Sequence, residues 1–199
     1  MANSFLLNFR NITKRRRQAV LFSLVGALGM ILIIAAIYMA MSAQRFLVYE
    51  DTRLGIRIKY PENWGKVENQ PGVVVAFLSP QETDLDIFNE SVNIVAQDLS
   101  QEPMTLNNYT NLAIRQMQAV FKKSMQVIES TPTLLAGHSA HKFVYQGSDQ
   151  KNPKLNIRIM HIWCIKNNMA YQVTYTALVT SFDRYLKIVN TMLGSFAIK

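Results

Sequence analysis

Twenty-five consecutive residues, Ala19 to Ala43, carry no charge, and a block of cations stands immediately before them. As a helix rising about 1.5 Å per residue, this run measures roughly 37 Å, enough to cross a hydrocarbon core of about 30 Å with some tilt. Eleven of its residues are Val, Leu, Ile or Phe. On an insertion scale they favour the bilayer by roughly 3 to 6 kcal/mol in total. The chain therefore reads as three parts: a basic N-terminus over 1–18, a transmembrane helix over 19–43 and a domain over 45–199.

The cations before the run are Arg10, Lys14, Arg15, Arg16 and Arg17, and residues 1–44 contain no Asp or Glu. Clustered cations stay on the cytoplasmic side. A single-pass protein with a cytoplasmic N-terminus is expected, its C-terminal domain being periplasmic, lumenal or extracellular. The apolar run is longer than the roughly 7–15 residues of a secretory signal core, so an uncleaved anchor is expected. Cys164 is the only cysteine, which excludes both an intrachain disulfide and a lipidated cysteine beside the span. Small residues recur every four positions at Ala19, Ser23 and Ala27 and at Ala36 and Ala40. That spacing lets helices approach closely, so self-association through the span is admitted alongside contact with other subunits.

The net charge of +8 is mostly this topology signal, because residues 45–199 hold 16 Lys and Arg against 13 Asp and Glu. So mild an excess, with no basic stripe along one helix, gives no nucleic-acid footprint. The expected partners are the lipid bilayer through residues 19–43 and other subunits of a membrane complex.

Residues 45–199 have the length of one domain with its own core. Ile56, Ile58 and Tyr60 alternate with Arg57 and Lys59; Val92, Ile94 and Ala96 alternate with polar residues; so do Met169, Tyr171, Val173 and Tyr175. Each pattern predicts a half-covered strand. Gly72 to Leu78 is continuously apolar, as in a strand covered on both faces. Leu155–Ile165, a turn at Lys166-Asn167-Asn168 and Met169–Leu178 predict a long hairpin, since Asn tolerates positive φ. Two amphipathic helices are expected. One spans about Leu106–Lys123, capped by Thr105, with Leu106, Tyr109, Ala113, Met117, Val120 and Phe121 on its apolar face. The other spans about Phe182–Leu193, capped by Ser181 and stopped by Gly194. A short strand over Ser195–Ile198 closes the chain at a sheet edge. Such an order predicts an α+β fold, an antiparallel β-sheet flanked by helices and preceded by one transmembrane helix.

The stretch Leu54-Gly55-Ile56-Arg57-Ile58-Lys59-Tyr60-Pro61-Glu62-Asn63-Trp64 resembles the opening of PsbP-like and DcrB-like domains, and Leu135-Ala136-Gly137-His138-Ser139-Ala140 resembles their turn before a strand ending in Tyr, here Tyr145. The resemblance covers nearly all of 46–198 and implies an αβα sandwich whose members bind partners rather than transform substrates. Relatives on the lumenal face of photosystem II, relatives in bacterial envelopes and chaperones for membrane segments all belong to it. This chain departs from them in an anchor that is neither a lipid nor a cleaved transit peptide. On the residues alone, Pro61, Trp64 and Gly137 are packing and turn positions.

No Walker loop, dinucleotide fingerprint, His-Glu-x-x-His, Cys-x-x-Cys or nucleophile elbow occurs. No cofactor and no enzymatic activity are therefore expected. Asp84, Asp86 and Glu90 read as a solvated acidic face. His138, His141 and His161 form the one candidate metal set, provided the strand near 141 pairs with the long hairpin. Three functions follow: a non-enzymatic, membrane-anchored binding or assembly subunit of an envelope or photosynthetic complex; a chaperone-like shield for apolar segments; or a histidine-based metal-binding protein.

Overall fold

The computed structural model describes residues 44–199 apart from 82, 84–87, 122–123 and 150–151. The expected span over 19–43 and the basic tail lie outside the described residues. Among those described, no helix is long and apolar enough to cross a membrane.

Paired residues of positive φ set the two longest hairpins. Asn167 and Asn168, at 51° and 58°, form the two-residue turn that suits twisted strands. They join β8 (Asn156–Lys166) to β9 (Met169–Leu178). Ala136 and Gly137, at 51° and 79°, do the same between β6 (Gln126–Leu135) and β7 (His138–Ser148). The remaining strands are β1 (Phe46–Asp51), β2 (Ile56–Pro61), β3 (Gly65–Gln70), β4 (Val73–Leu78), β5 (Ser91–Asp98) and β10 (Ala197–Ile198). Helix α1 (Leu106–Phe121) follows β5, and α2 (Phe182–Ser195) follows β9.

Two antiparallel sheets result, where the sequence suggested one. Seven strands run in the order β3-β4-β5-β9-β8-β7-β6, and β1-β2-β10 form a separate sheet. The closing strand thus pairs with β2, not with the edge of the main sheet. The small sheet and α2 cover one face of the large one. Tyr60 stacks on Phe77 with ring centroids 4.5 Å apart, Trp64 meets Tyr185 edge-on, and Val189 and Met192 are fully buried. Helix α1 covers the other face, where Tyr109 and Ala113 pack with Phe143, Tyr145 and Trp163. Val75, Ala76 and Phe77 are buried in succession, as a strand covered on both faces requires.

Three helix details differ from the expected ones. Val120 is 57% exposed, and the buried face of α1 includes Thr110, whose hydroxyl accepts the Trp163 indole N–H at 2.8 Å. Gly194 lies within α2, which continues to Ser195. The Ser195 hydroxyl takes over the role of a left-handed cap, donating to the Met192 carbonyl at 2.6 Å and accepting the Lys59 N–H at 2.8 Å, while buried Phe196 turns the chain into extended backbone. Ser181 precedes α2 but makes no side-chain cap; its hydroxyl donates to Glu90.

Candidate functional site

The pleat decides the fate of the three histidines. His138 falls in alternation with Ala140 and Val144, which belong to the core beneath the small sheet. His141 alternates with Phe143 and Tyr145, which face α1. His161 pairs in register with Phe143, and Trp163 with His141, so both lie on the α1 side. The expected convergence therefore fails, because residues three apart on a strand point to opposite faces. Among the described residues no group of three His, Cys, Asp or Glu is placed to hold a metal ion.

His141 and His161 are instead parts of an aromatic layer. His141 stacks on Trp163 at 5.5 Å and its Nε2 lies 2.9 Å from the Ser130 hydroxyl. His161 stacks on Tyr145 at 5.7 Å. The Gln172 amide nitrogen, which can only donate, sits 3.0 Å from His161 Nδ1, so Nδ1 accepts and the neutral ring carries its proton on Nε2, 3.3 Å from the Tyr145 hydroxyl. Thr174 Oγ1 is a further neighbour of Nδ1 at 2.9 Å. Neither nitrogen has a lone pair to offer a metal. Burial pushes the His161 pKa down to about 3, lowers that of His141 and raises that of Tyr145.

The acidic stretch divides. Asp84 and Asp86 lie outside the described residues, but Glu90 is buried and is not part of a solvated face. Its carboxylate accepts from the Ser79 hydroxyl at 2.9 Å and from Ser181, joining the start of β5 to the start of α2. Two hydroxyl donors make this burial tolerable.

The open surface lies elsewhere. Among the described residues β6 is an edge strand, paired only with β7. Most of its ten residues are exposed on both faces, and they include Val127, Ile128 and Leu134. Beside its first residue lies a cleft of about 600 Å³. Among the described residues, hydroxyls and amides of Ser124, Gln126, Gln146, Ser148, Asn156 and Thr180 line it together with Lys154, and none of the described lining side chains is a carboxylate, imidazole or thiol. A ladder crosses three strands at its margin: Arg158 donates to Gln146 at 3.1 Å, and Gln146 donates to Gln126 at 2.8 Å. Gly147 lets the segment after α1 lie against β7; a Cβ there would come within 2.8 Å of the Ser124 carbonyl oxygen. Such a lining can hydrogen-bond a polar chain but holds no acid–base or nucleophilic pair. Sequence reading missed this strand; Pro132, flanked by apolar pairs at 127–128 and 134–135, is the edge-strand signal it left.

In three dimensions the domain is similar to cyanobacterial PsbP (CyanoP) from Synechocystis sp. PCC 6803, with a TM-score of 0.57 and 16% identity over 79% of this chain and 95% of that one. It is similar to LpqN, involved in cell envelope biogenesis of Mycobacterium tuberculosis, with a TM-score of 0.56 and 13% identity over 82% and 96% of the two chains. The Saccharomyces cerevisiae Ran-binding protein Mog1p gives a TM-score of 0.53 with 8% identity over 78% and 96%. No curated protein matches the sequence. A family profile described as PsbP matches residues 44–198, and the chain belongs to the PsbP family.

Proposed function

We propose that this chain is a single-pass membrane protein whose PsbP-family domain, held outside the cytoplasm, is a non-enzymatic binding or assembly subunit of an envelope or photosynthetic membrane complex. The observation that carries the reading is β6, a ten-residue edge strand along which Val127, Ile128 and Leu134 are exposed. Exposed edges and apolar patches of this kind are where other polypeptides attach. The cleft at its start adds hydroxyls and amides for a partner's backbone. The most reactive side chains, His161 and Cys164, are buried in packing. The relatives support the same view: Mog1p is a Ran-binding protein and LpqN takes part in cell envelope biogenesis.

The test is purification of the full chain in mild detergent with a photo-crosslinking residue at Ile128 or Leu134. A discrete protein crosslinked from both positions, and absent with the crosslinker at exposed Arg115 of α1, is the expected result. Migration as a lone monomer, with no adduct from β6, would overturn it.

A further inference from the structure

The outer face of the small sheet bears a second surface, set apart from β6. Tyr49 and Tyr60 turn inward onto Phe77. Their neighbours therefore turn outward: Val48, 46% exposed, pairs with exposed Lys59, and exposed Arg57 pairs with Glu50. Arg57 and Lys59 wall a cleft of about 410 Å³ with Thr191, Gly194, Ser195 and Ala197 of α2 and β10. Two cations and two hydroxyls thus surround one opening. Nearby carboxylates are engaged within the domain, Glu50 by Lys199 and Asp51 by the Leu54 N–H at 3.0 Å.

With residues 19–43 as a membrane anchor, chain length would hold β1 close to the bilayer surface. The Arg45 carbonyl accepts the Glu62 N–H at 2.9 Å, so the domain is fastened from Arg45 onward. Only Gln44 separates that point from Ala43, the last residue of the apolar run. Two Cα–Cα steps span at most about 7.6 Å, comparable with the roughly 5–8 Å headgroup layer of one leaflet. Val48 lies three residues further along β1, about 10 Å at strand rise.

We infer that the outer face of the small sheet, with Val48 as its apolar contact and the Arg57–Lys59 cleft as an anionic headgroup site, docks on the bilayer surface. The inference rests on the reading of residues 19–43 as the anchor. Tethering alone would bring both sides of β1 equally near the lipid. Docking selects one side. Leu47 provides the comparison: it is equally far along the chain, is 43% exposed, and lies on the opposite side of the strand, paired with Tyr60.

The experiment uses the full chain in nanodiscs of phosphatidylcholine and phosphatidylglycerol carrying a lipid with a nitroxide on its headgroup. Bimane is attached in turn to V48C, L47C and L134C; buried Cys164, its thiol pushed up to about 11, does not compete for label. Quenching at 48 should exceed that at 47 several-fold. It should fall to the level of 47 in pure phosphatidylcholine and in V48C carrying Arg57→Glu and Lys59→Glu. Equal quenching at 47 and 48, both above 134, would mean a tether without docking and would overturn the inference while leaving the anchor intact. Extraction of the protein by alkaline carbonate would remove the anchor reading, and the inference with it. Disulfide-linked V48C dimers in nanodiscs would assign the face to a second copy and overturn it as well.

Discussion

His161 shows how a residue with ligand chemistry becomes a structural one. It is held as the neutral ring by Gln172, Thr174 and Tyr145, with its pKa near 3 against about 6.5 in an unfolded chain. As pH falls below 6.5 the unfolded chain takes up the proton first. The stability that His161 contributes is therefore complete above 6.5 and is lost progressively toward pH 3. Urea midpoints measured from pH 7 to 4 should decline, with His161 supplying up to about 1.4 kcal/mol per pH unit of the slope. His161→Gln should flatten that slope; an unchanged slope would show that another group sets the acid sensitivity. Glu90 is a parallel case with the opposite surprise, a buried carboxylate where a solvated one was expected. Glu90→Ala leaves the Ser79 and Ser181 hydroxyls without their acceptor and opens a cavity, so a loss of about 2–4 kcal/mol in chemical denaturation is expected. Neither role was legible beforehand. Residue spacing reveals which side chains exist, but only strand register reveals which face each one shares.

At the scale of elements, two glycines that look alike in the sequence behave oppositely. At Gly147 a Cβ would press on a backbone oxygen, Ser124 O, at 2.8 Å, and neither strand nor linker can yield cheaply. Gly147→Ala should cost about 1–3 kcal/mol in thermal unfolding. Gly194 sits inside α2 with nothing within 4 Å of the added carbon, so Gly194→Ala should stabilise by about 0.5–1 kcal/mol. A destabilised Gly194→Ala protein would restore the sequence reading of Gly194 as a left-handed stop. That reading failed because Ser195 and Phe196 supply the cap and the anchor that glycine was assigned. What was legible is equally specific. The β8–β9 hairpin followed from two long stretches joined by two asparagines, the second of them alternating from Met169 to Tyr175, and Thr105 does cap α1, accepting the Asn108 N–H at 3.2 Å. β1, β3 and β6 were not seen, because edge strands with one covered face, or none, carry no strong period. The separation of β1, β2 and β10 from the main sheet is a long-range pairing choice that local pattern does not encode.

For the whole molecule, the domain and its proposed anchor make one argument about direction. Among the described residues the domain builds two cores of its own, one under the small sheet and one under α1, and the charge-free stretch Ala19–Ala43 precedes it in the sequence. A run of this length, with five cations before it and no acidic residue through position 44, has the composition of an anchor whose leading end stays in the cytoplasm. Beyond it the first cations, Arg45 and Arg53, are matched within a few residues by Glu50 and Asp51. No second basic block competes for orientation. Reporter tags at Met1 and Lys199 should accordingly mark opposite compartments, with Lys199 open to protease added outside the cytoplasmic membrane. Changing Arg15, Arg16 and Arg17 together to Glu removes the asymmetry without touching the span, and should yield both orientations in one population. Moving cations across an energised membrane is costly, so the unmodified chain should show a single orientation. A cytoplasmic Lys199 in that chain would place the PsbP-family domain on the wrong side for the proposed complex, and both the assembly role and the docking face would fall with it.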